Sequence, residues 1–168
     1  MLNMEFKQLS PDDFNEAYAL VKDAFEWLQL KHLPNWLVPY QSYYKRQANG
    51  ENYGLFVDTV LRAVVTLTNY YPTIWRQSIN HQDFMWLATL ASARAVSKVQ
   101  YGKILVQFAE QYAASQGNSA IYLDCYYSNG MLPLYYEQCG YGVLERKMIV
   151  FEDGSKNDSV LLVRELNS

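Results

Sequence analysis

Apolar residues recur along this chain with two different periods, and each change of period marks a new element. MEFKQL, starting at Met4, is a short strand. Ser10-Pro11-Asp12-Asp13 then offers an N-cap, a proline at the first helical position and an acid at the third, so a helix is predicted to start there. Phe14, Ala17, Tyr18, Val21, Ala24, Phe25 and Leu28 share one face of that helix, and the pattern breaks before Pro34. The polar, aromatic stretch NWLVPYQSYYKRQANGENY predicts a loop with a short helix over Tyr40–Ala48.

Beyond it, GLFVDTVLRAVVTLTNYY has the form of a hairpin, with strands at Gly54–Val57 and Leu61–Thr68 and Asp58-Thr59 near the turn. A connector leads to a third strand at Phe84–Ala93. A long amphipathic helix is predicted from about Tyr101, because Ile104, Leu105, Phe108, Ala109, Tyr112 and Ala113 fall on one face. IYLDC, from Ile121 to Cys125, is a buried-strand run, and Asn129 opens a segment that ends in YYEQCGY. Two alternating strands, Gly142–Phe151 and Ser159–Leu166, flank the turn-rich EDGSKND. The predicted order is strand, two helices, three antiparallel strands, helix, strand, helix, two strands, without internal repeat or low-complexity segment.

Composition narrows the class. At 168 residues and 50% hydrophobic, the chain is long enough for one substantial core, and a single domain over 1–168 is expected. A net charge of −3 argues against a general nucleic-acid binder, whose footprint would be strongly basic. The opening MLNMEFKQLSPDD lacks the pattern of a secretory signal, and polar residues interrupt every apolar run before membrane-spanning length. A cytoplasmic protein with Cys125 and Cys139 reduced, and with no membrane partner, is expected. The Cys and His spacing gives no zinc set, so a metal-free protein is expected as well.

The chain from Phe84 to Ala109 contains no Asp or Glu but does contain Arg94, Lys98 and Lys103. A helix N-terminus inside that stretch already favours an anion, and phosphate is the obvious one. The alternative is an ordinary strand-to-helix turn with three solvated basic residues. Further on, Asn129 is followed seven residues later by Tyr136, then by Gly140 and Tyr141. With the preceding loop, this spacing resembles the core of the GNAT superfamily of N-acetyltransferases. LATLA before the loop, LDC at a strand end and the paired Tyr135 and Tyr136 also resemble an uncharacterised subset of that superfamily.

The resemblance implies an α/β (α+β) fold: a mixed, mainly antiparallel central sheet of about seven strands, about four flanking helices, and splayed fourth and fifth strands. It also implies acetyl-CoA as co-substrate. The superfamily's phosphate loop reads Arg/Gln-x-x-Gly-x-Gly/Ala. Its first position here is Ser97, Gln100 replaces the middle glycine, and Gly102 alone matches. Gln100 must therefore keep a right-handed backbone or narrow the site. By this resemblance Lys98, Val99, Gln100, Tyr101, Gly102 and Lys103 hold the pyrophosphate, Leu90 and Ser92 run beside the pantetheine arm, and Asn129 orients that arm or the helix after it.

In the implied reaction an amine attacks the thioester directly, with no covalent enzyme intermediate. A backbone N–H on the strand holding Leu90, Ala91 and Ser92 meets the oxyanion, and Tyr136 protonates the departing thiolate. Plainer roles stand beside these: Tyr136 as a core aromatic, Asn129 as an N-cap, Gly140 as a C-cap. No acid occupies WLATL, where many members carry a base, which leaves a water relay to His81, Asp83 or Glu26, or an amine that arrives deprotonated. Trp27, Trp36, Tyr40, Tyr43 and Tyr44 either line the wall facing a small-molecule or peptide amine or cover the core. Members are often homodimers. A non-catalytic acyl-CoA-binding or regulatory module with the same fold is the second reading. A thiol enzyme using Cys125 or Cys139 is a third, but no basic partner lies near either in sequence.

Overall fold

The computed structural model describes residues 3–34, 37–93, 99–127 and 130–166. Its strands and helices alternate in the predicted order. They form a seven-stranded sheet, ordered β1-β2-β3-β4-β5-β7-β6, with four α-helices. Four strand pairs are antiparallel, namely β1 (Met4–Gln8) with β2 (Asn52–Val57), β2 with β3 (Val60–Thr68), β5 (Ala120–Tyr126) with β7 (Lys156–Glu165), and β6 (Gly142–Val150) with β7. β4 (Phe84–Ser92) and β5 are parallel. Their ladder joins Phe84, Met85 and Trp86 to Ala120, Ile121 and Tyr122, although both strands run on beyond it. By contact the chain divides into two compact units, residues 1–68 with 87–109, and residues 69–86 with 110–168.

In the first unit, Asp13 accepts from both the backbone N–H and the hydroxyl of Ser10, at 2.8 and 2.9 Å. That reciprocal cap opens a short 3-10 turn over Pro11–Asp13, which leads into α1 (Phe14–Leu30). Phe14, Ala17 and Val21 are the buried face of α1, and α2 (Tyr40–Ala48) buries Tyr43 beside them. Every residue of β2 is buried, which suits its central place between β1 and β3. The β2–β3 turn is Asp58-Thr59, both with positive φ, at 48° and 72°. Two left-handed residues in a two-residue loop are the geometry that follows the natural twist of a hairpin. Phe6 stacks on Tyr53 at 5.4 Å and on Phe108 of α3 (Tyr101–Ser115) at 6.0 Å.

In the second unit, β5 and β7 supply a core of fully buried residues, Ile121, Tyr122, Leu161 and Leu162 among them. The connector before β4 makes a short 3-10 turn at Thr73–Trp75 that places Trp75 wholly out of solvent. β7 starts at Lys156, earlier than its apolar run predicts, because Val150 pairs with Lys156 and Arg146 of β6 donates to Asp158 at 2.9 Å. Cross-strand pairing of polar residues extends a ladder that periodicity alone would end at Ser159. α4 (Met131–Gln138) ends with the Gly140 N–H on the Glu137 carbonyl and the Tyr141 N–H on the Tyr136 carbonyl, both at 3.0 Å. Gly140 has φ +97°, which completes a Schellman cap.

Candidate functional site

The predicted residues of the first unit lie at the end of β4 and the start of α3. Ala91 is buried in the α1–α2 core, whereas Leu90 and Ser92 on either side of it are partly exposed, as strand alternation requires. Just before them Thr89 has φ +53°, a left-handed residue inside a strand. The Ala93 N–H returns to the Arg62 carbonyl of β3 at 2.8 Å. Arg94, Ser97 and Lys98 lie outside the described residues.

At the start of α3, Val99 and Gln100 are exposed, Tyr101 and Gly102 are buried, and Lys103 is half-buried. The Gln100 carbonyl accepts the Ile104 N–H at 3.3 Å, so Gln100 is the cap residue of α3. Gln100 is not among the described non-glycine residues with positive φ, so it does not use the left-handed conformation that a glycine would allow there. Leu105, Val106, Ala109 and Ala113 are the deepest residues of the helix. Val106 widens the predicted face, since it lies one turn from Gly102 and Ala109, both buried.

In the second unit Tyr136 is 7% exposed on α4, with Tyr135 edge-on at 5.2 Å and Tyr141 at 5.9 Å. Burial holds its phenol well above the ordinary range, and Cys125, Tyr135, Cys139 and Asp124 reinforce that direction. It is therefore a neutral O–H at any working pH. Burial, followed by neighbouring Asp124, pushes the Cys125 thiol up to about 12. Cys125 and Cys139 are both thiols, not joined in a disulfide. Asn129 lies outside the described residues.

One polar contact of this unit has no counterpart in the sequence analysis, and its carboxylate, Asp124, acts on Tyr136. Asp124 of β5 accepts from Trp75 Nε1 at 2.9 Å, and burial raises its carboxyl despite that hydrogen bond. LDC points to the residue, but no local spacing links it to Trp75 across 49 positions. Among the relay residues, His81 Nδ1 lies 2.5 Å from the Tyr122 hydroxyl and its Nε2 lies 2.8 Å from Glu165. Tyr122 in turn donates to Asn80 at 2.9 Å. His81 thus ties its connector to β5 and β7. Asp83 offers its backbone carbonyl to Ser119, and Glu26 is exposed on α1.

The aromatic wall resolves residue by residue in the first unit. Tyr43 is fully buried, and Tyr40 and Tyr44 meet Phe14 edge-on at 5.1 and 5.4 Å. Tyr40 and Tyr44 also keep about half their surface, at 47% and 54% exposed, so they serve the core and still face outward. Trp36 lies outside the described residues. Among the described residues no group of three His, Cys, Asp or Glu could hold a metal ion, and no helix is long and apolar enough to cross a membrane.

Comparison with known proteins bears on this arrangement at two levels. Three solved structures share the fold along nearly the whole chain. A GNAT-family acetyltransferase from Listeria monocytogenes is 20% identical, with a TM-score of 0.72, covering 97% of this chain and 95% of its own. The ribosomal-protein-S18-alanine N-acetyltransferase from Escherichia coli is 14% identical, with a TM-score of 0.72 and coverage of 99% and 96%. The yncA protein from Salmonella typhimurium, solved with its cofactor acetyl-CoA, is 14% identical, with a TM-score of 0.68 and coverage of 99% and 95%. No protein of curated function matches in sequence. The profile of the acetyltransferase (GNAT) family matches residues 21–141, and with the seven-stranded sheet this shows that the chain belongs to that family and is an acyltransferase of the N-acetyltransferase kind.

Proposed function

We propose that this protein moves the acetyl group of acetyl-CoA to a primary amine by direct attack, with Tyr136 as the general acid. The observation that carries the reading is the buried, neutral phenol of Tyr136, locked at the capped end of α4. The neutral phenol holds the proton that a departing thiolate needs; because burial makes it a weaker donor than a free phenol, transfer depends on placing the two within hydrogen-bond reach. Cys125, protonated up to about pH 12, is a poor nucleophile, which favours one direct transfer over an acyl-enzyme.

The residues before and within the first turn of α3 fit acetyl-CoA. The helix begins at Tyr101 behind the Gln100 cap, its positive dipole end follows a stretch of sequence free of acidic residues, and Gly102 adds no Cβ. Lys98, Val99, Gln100, Tyr101, Gly102 and Lys103 would hold the pyrophosphate, Leu90 and Ser92 would flank the pantetheine arm, and Asn129 would help orient it. Bound acetyl-CoA supplies the activated carbonyl. The β4 backbone at Leu90–Ser92 supplies the N–H for the oxyanion, a donor set in place before reaction. The half-exposed Tyr40 and Tyr44 suit an amine with apolar or cationic character, which aromatic faces accept.

Steady-state kinetics of Tyr136→Phe test the central assignment. Turnover should fall about 100-fold, within the usual span for a positioned acid. The affinity for acetyl-CoA, measured by calorimetry, should hardly change. Unchanged turnover would remove Tyr136 from the mechanism, and acetyl-CoA binding without transfer to any amine would favour the non-catalytic module.

A further inference from the structure

Thr89 stands out in the first unit because a β-branched residue at φ +53° occupies a backbone region that such residues rarely enter. A conformation of this kind costs on the order of 1–3 kcal/mol and persists only where its surroundings dictate it. Its surroundings include Arg46, in the last turn of α2, whose Nη1 donates to Thr89 Oγ1 at 2.8 Å and to Thr66 Oγ1 at 3.4 Å. The Thr66 hydroxyl is itself committed, donating to Asn52 Oδ1 at 2.7 Å, and Asn52 Nδ2 donates onward to Gln47 Oε1 at 3.2 Å. Thr66 and Asn52 are 0% and 1% exposed. With those partners fixed, the guanidinium has its position set on one side by the buried hydroxyl of Thr66 and sets that of Thr89 on the other.

A left-handed residue within a strand interrupts the regular alternation and re-aims the peptide groups that follow it. Those groups belong to Leu90, Ala91 and Ser92. We propose that Arg46 is a positioning residue for acetyl transfer, holding Thr89 in its left-handed conformation so that the β4 amides after it point where the oxyanion forms. The inference rests on the acetyltransferase reading above. It extends that reading to a side chain of α2, a helix to which the mechanism otherwise gives only an acceptor-facing role.

Arg46→Met removes the donors, and Thr89→Gly removes the need for them, because glycine adopts positive φ without strain. Arg46→Met should lower kcat about 100-fold, the loss that a misplacement of about 1 Å can produce. The Kd for acetyl-CoA should stay within a few-fold of the parent value. Adding Thr89→Gly to Arg46→Met should restore most of the turnover. A kcat loss that Thr89→Gly leaves in place, or an Arg46→Met protein that turns over normally once its folded fraction is counted, would overturn the proposal.

A crystal structure of Arg46→Met reads the geometry without turnover. Thr89 should leave the left-handed region, and a Thr89 that stays there would also overturn the proposal. If Thr89 moves but the parent protein acetylates no amine, the acetyltransferase reading fails together with Arg46's part in the reaction, and the clamp on the strand stands as structure alone.

Discussion

Asp124 shows how one buried group sets a pH dependence. Burial raises its carboxyl, and the Trp75 indole N–H at 2.9 Å offsets only part of that. The folded state therefore keeps this proton more firmly than the unfolded chain does. As pH rises from the ordinary aspartate value of about 3.9 through the raised folded value, folding stability falls, and the deficit then persists at neutral pH. Asp124→Asn keeps an oxygen for Trp75 and carries no charge. Its unfolding temperature at pH 7 should exceed the parent's, and the gain should vanish below about pH 4. A gain independent of pH would point to some cause other than this ionisation. The neighbouring thiol gives a second test: with Cys125 pushed up to about 12, alkylation at pH 8 should be slow in the native protein, and Cys125→Ala should retain turnover. Rapid native alkylation at Cys125 would contradict that environment.

At the scale of elements, turns and caps give the sharpest predictions. Gly140 has φ +97°, and a Cβ there would collide with the guanidinium of Arg164, whose Nη1 donates to the Gly140 carbonyl at 3.0 Å. Gly140→Ala should destabilise by about 1–3 kcal/mol, the cost of a left-handed non-glycine residue with a displaced neighbour, measured by urea unfolding. Thr59, at φ +72° in the β2–β3 turn, calls for the opposite change. Thr59→Gly creates the Asp-Gly pair favoured in two-residue hairpins and should stabilise by up to about 1 kcal/mol, roughly 2–4 °C in unfolding temperature.

These elements were legible before the structure because local rules wrote them. Ser10 to Asp13 spelled a helix start, Tyr40–Ala48 a short helix, Asp58-Thr59 a turn and Gly140 a cap. The start of β7, the left-handed Thr89 and the Trp75–Asp124 bond were not legible. Thr89 and the Trp75–Asp124 bond are fixed by partners 43 and 49 positions apart, and the start of β7 by its polar cross-strand partners in β6. The polar residues most telling for function therefore had no local signature, whereas Tyr136 had one only through its spacing to Asn129 and Gly140.

For the whole molecule, the decisive quantity is the free energy that acetyl-CoA adds to the folded state. At about one hundred times its dissociation constant the ligand should contribute roughly 2.7 kcal/mol, visible as a clear thermal shift that free CoA shares and ATP does not. No shift at millimolar acetyl-CoA would mean that the start of α3, with Gln100 in place of a glycine, does not hold the pyrophosphate. The formal charge of −3 makes the local shortage of acids between Phe84 and Ala109 a contrast within an acidic chain. Attraction of the polyanionic co-substrate should consequently weaken with salt.

The hydrogen-bonded chain from Arg46 through Thr66 and Asn52 to Gln47 also sets terms for anyone redesigning acceptor preference. α2 has two allegiances along its nine residues. Tyr43, Arg46 and Gln47 are committed inward, while Gln41, Ser42, Tyr44 and Lys45 look out. A combinatorial library confined to the outward four can vary surface chemistry while leaving the interior bonding intact. One that includes Arg46 would couple every change of specificity to the shape of β4, and selection from it would recover few active clones.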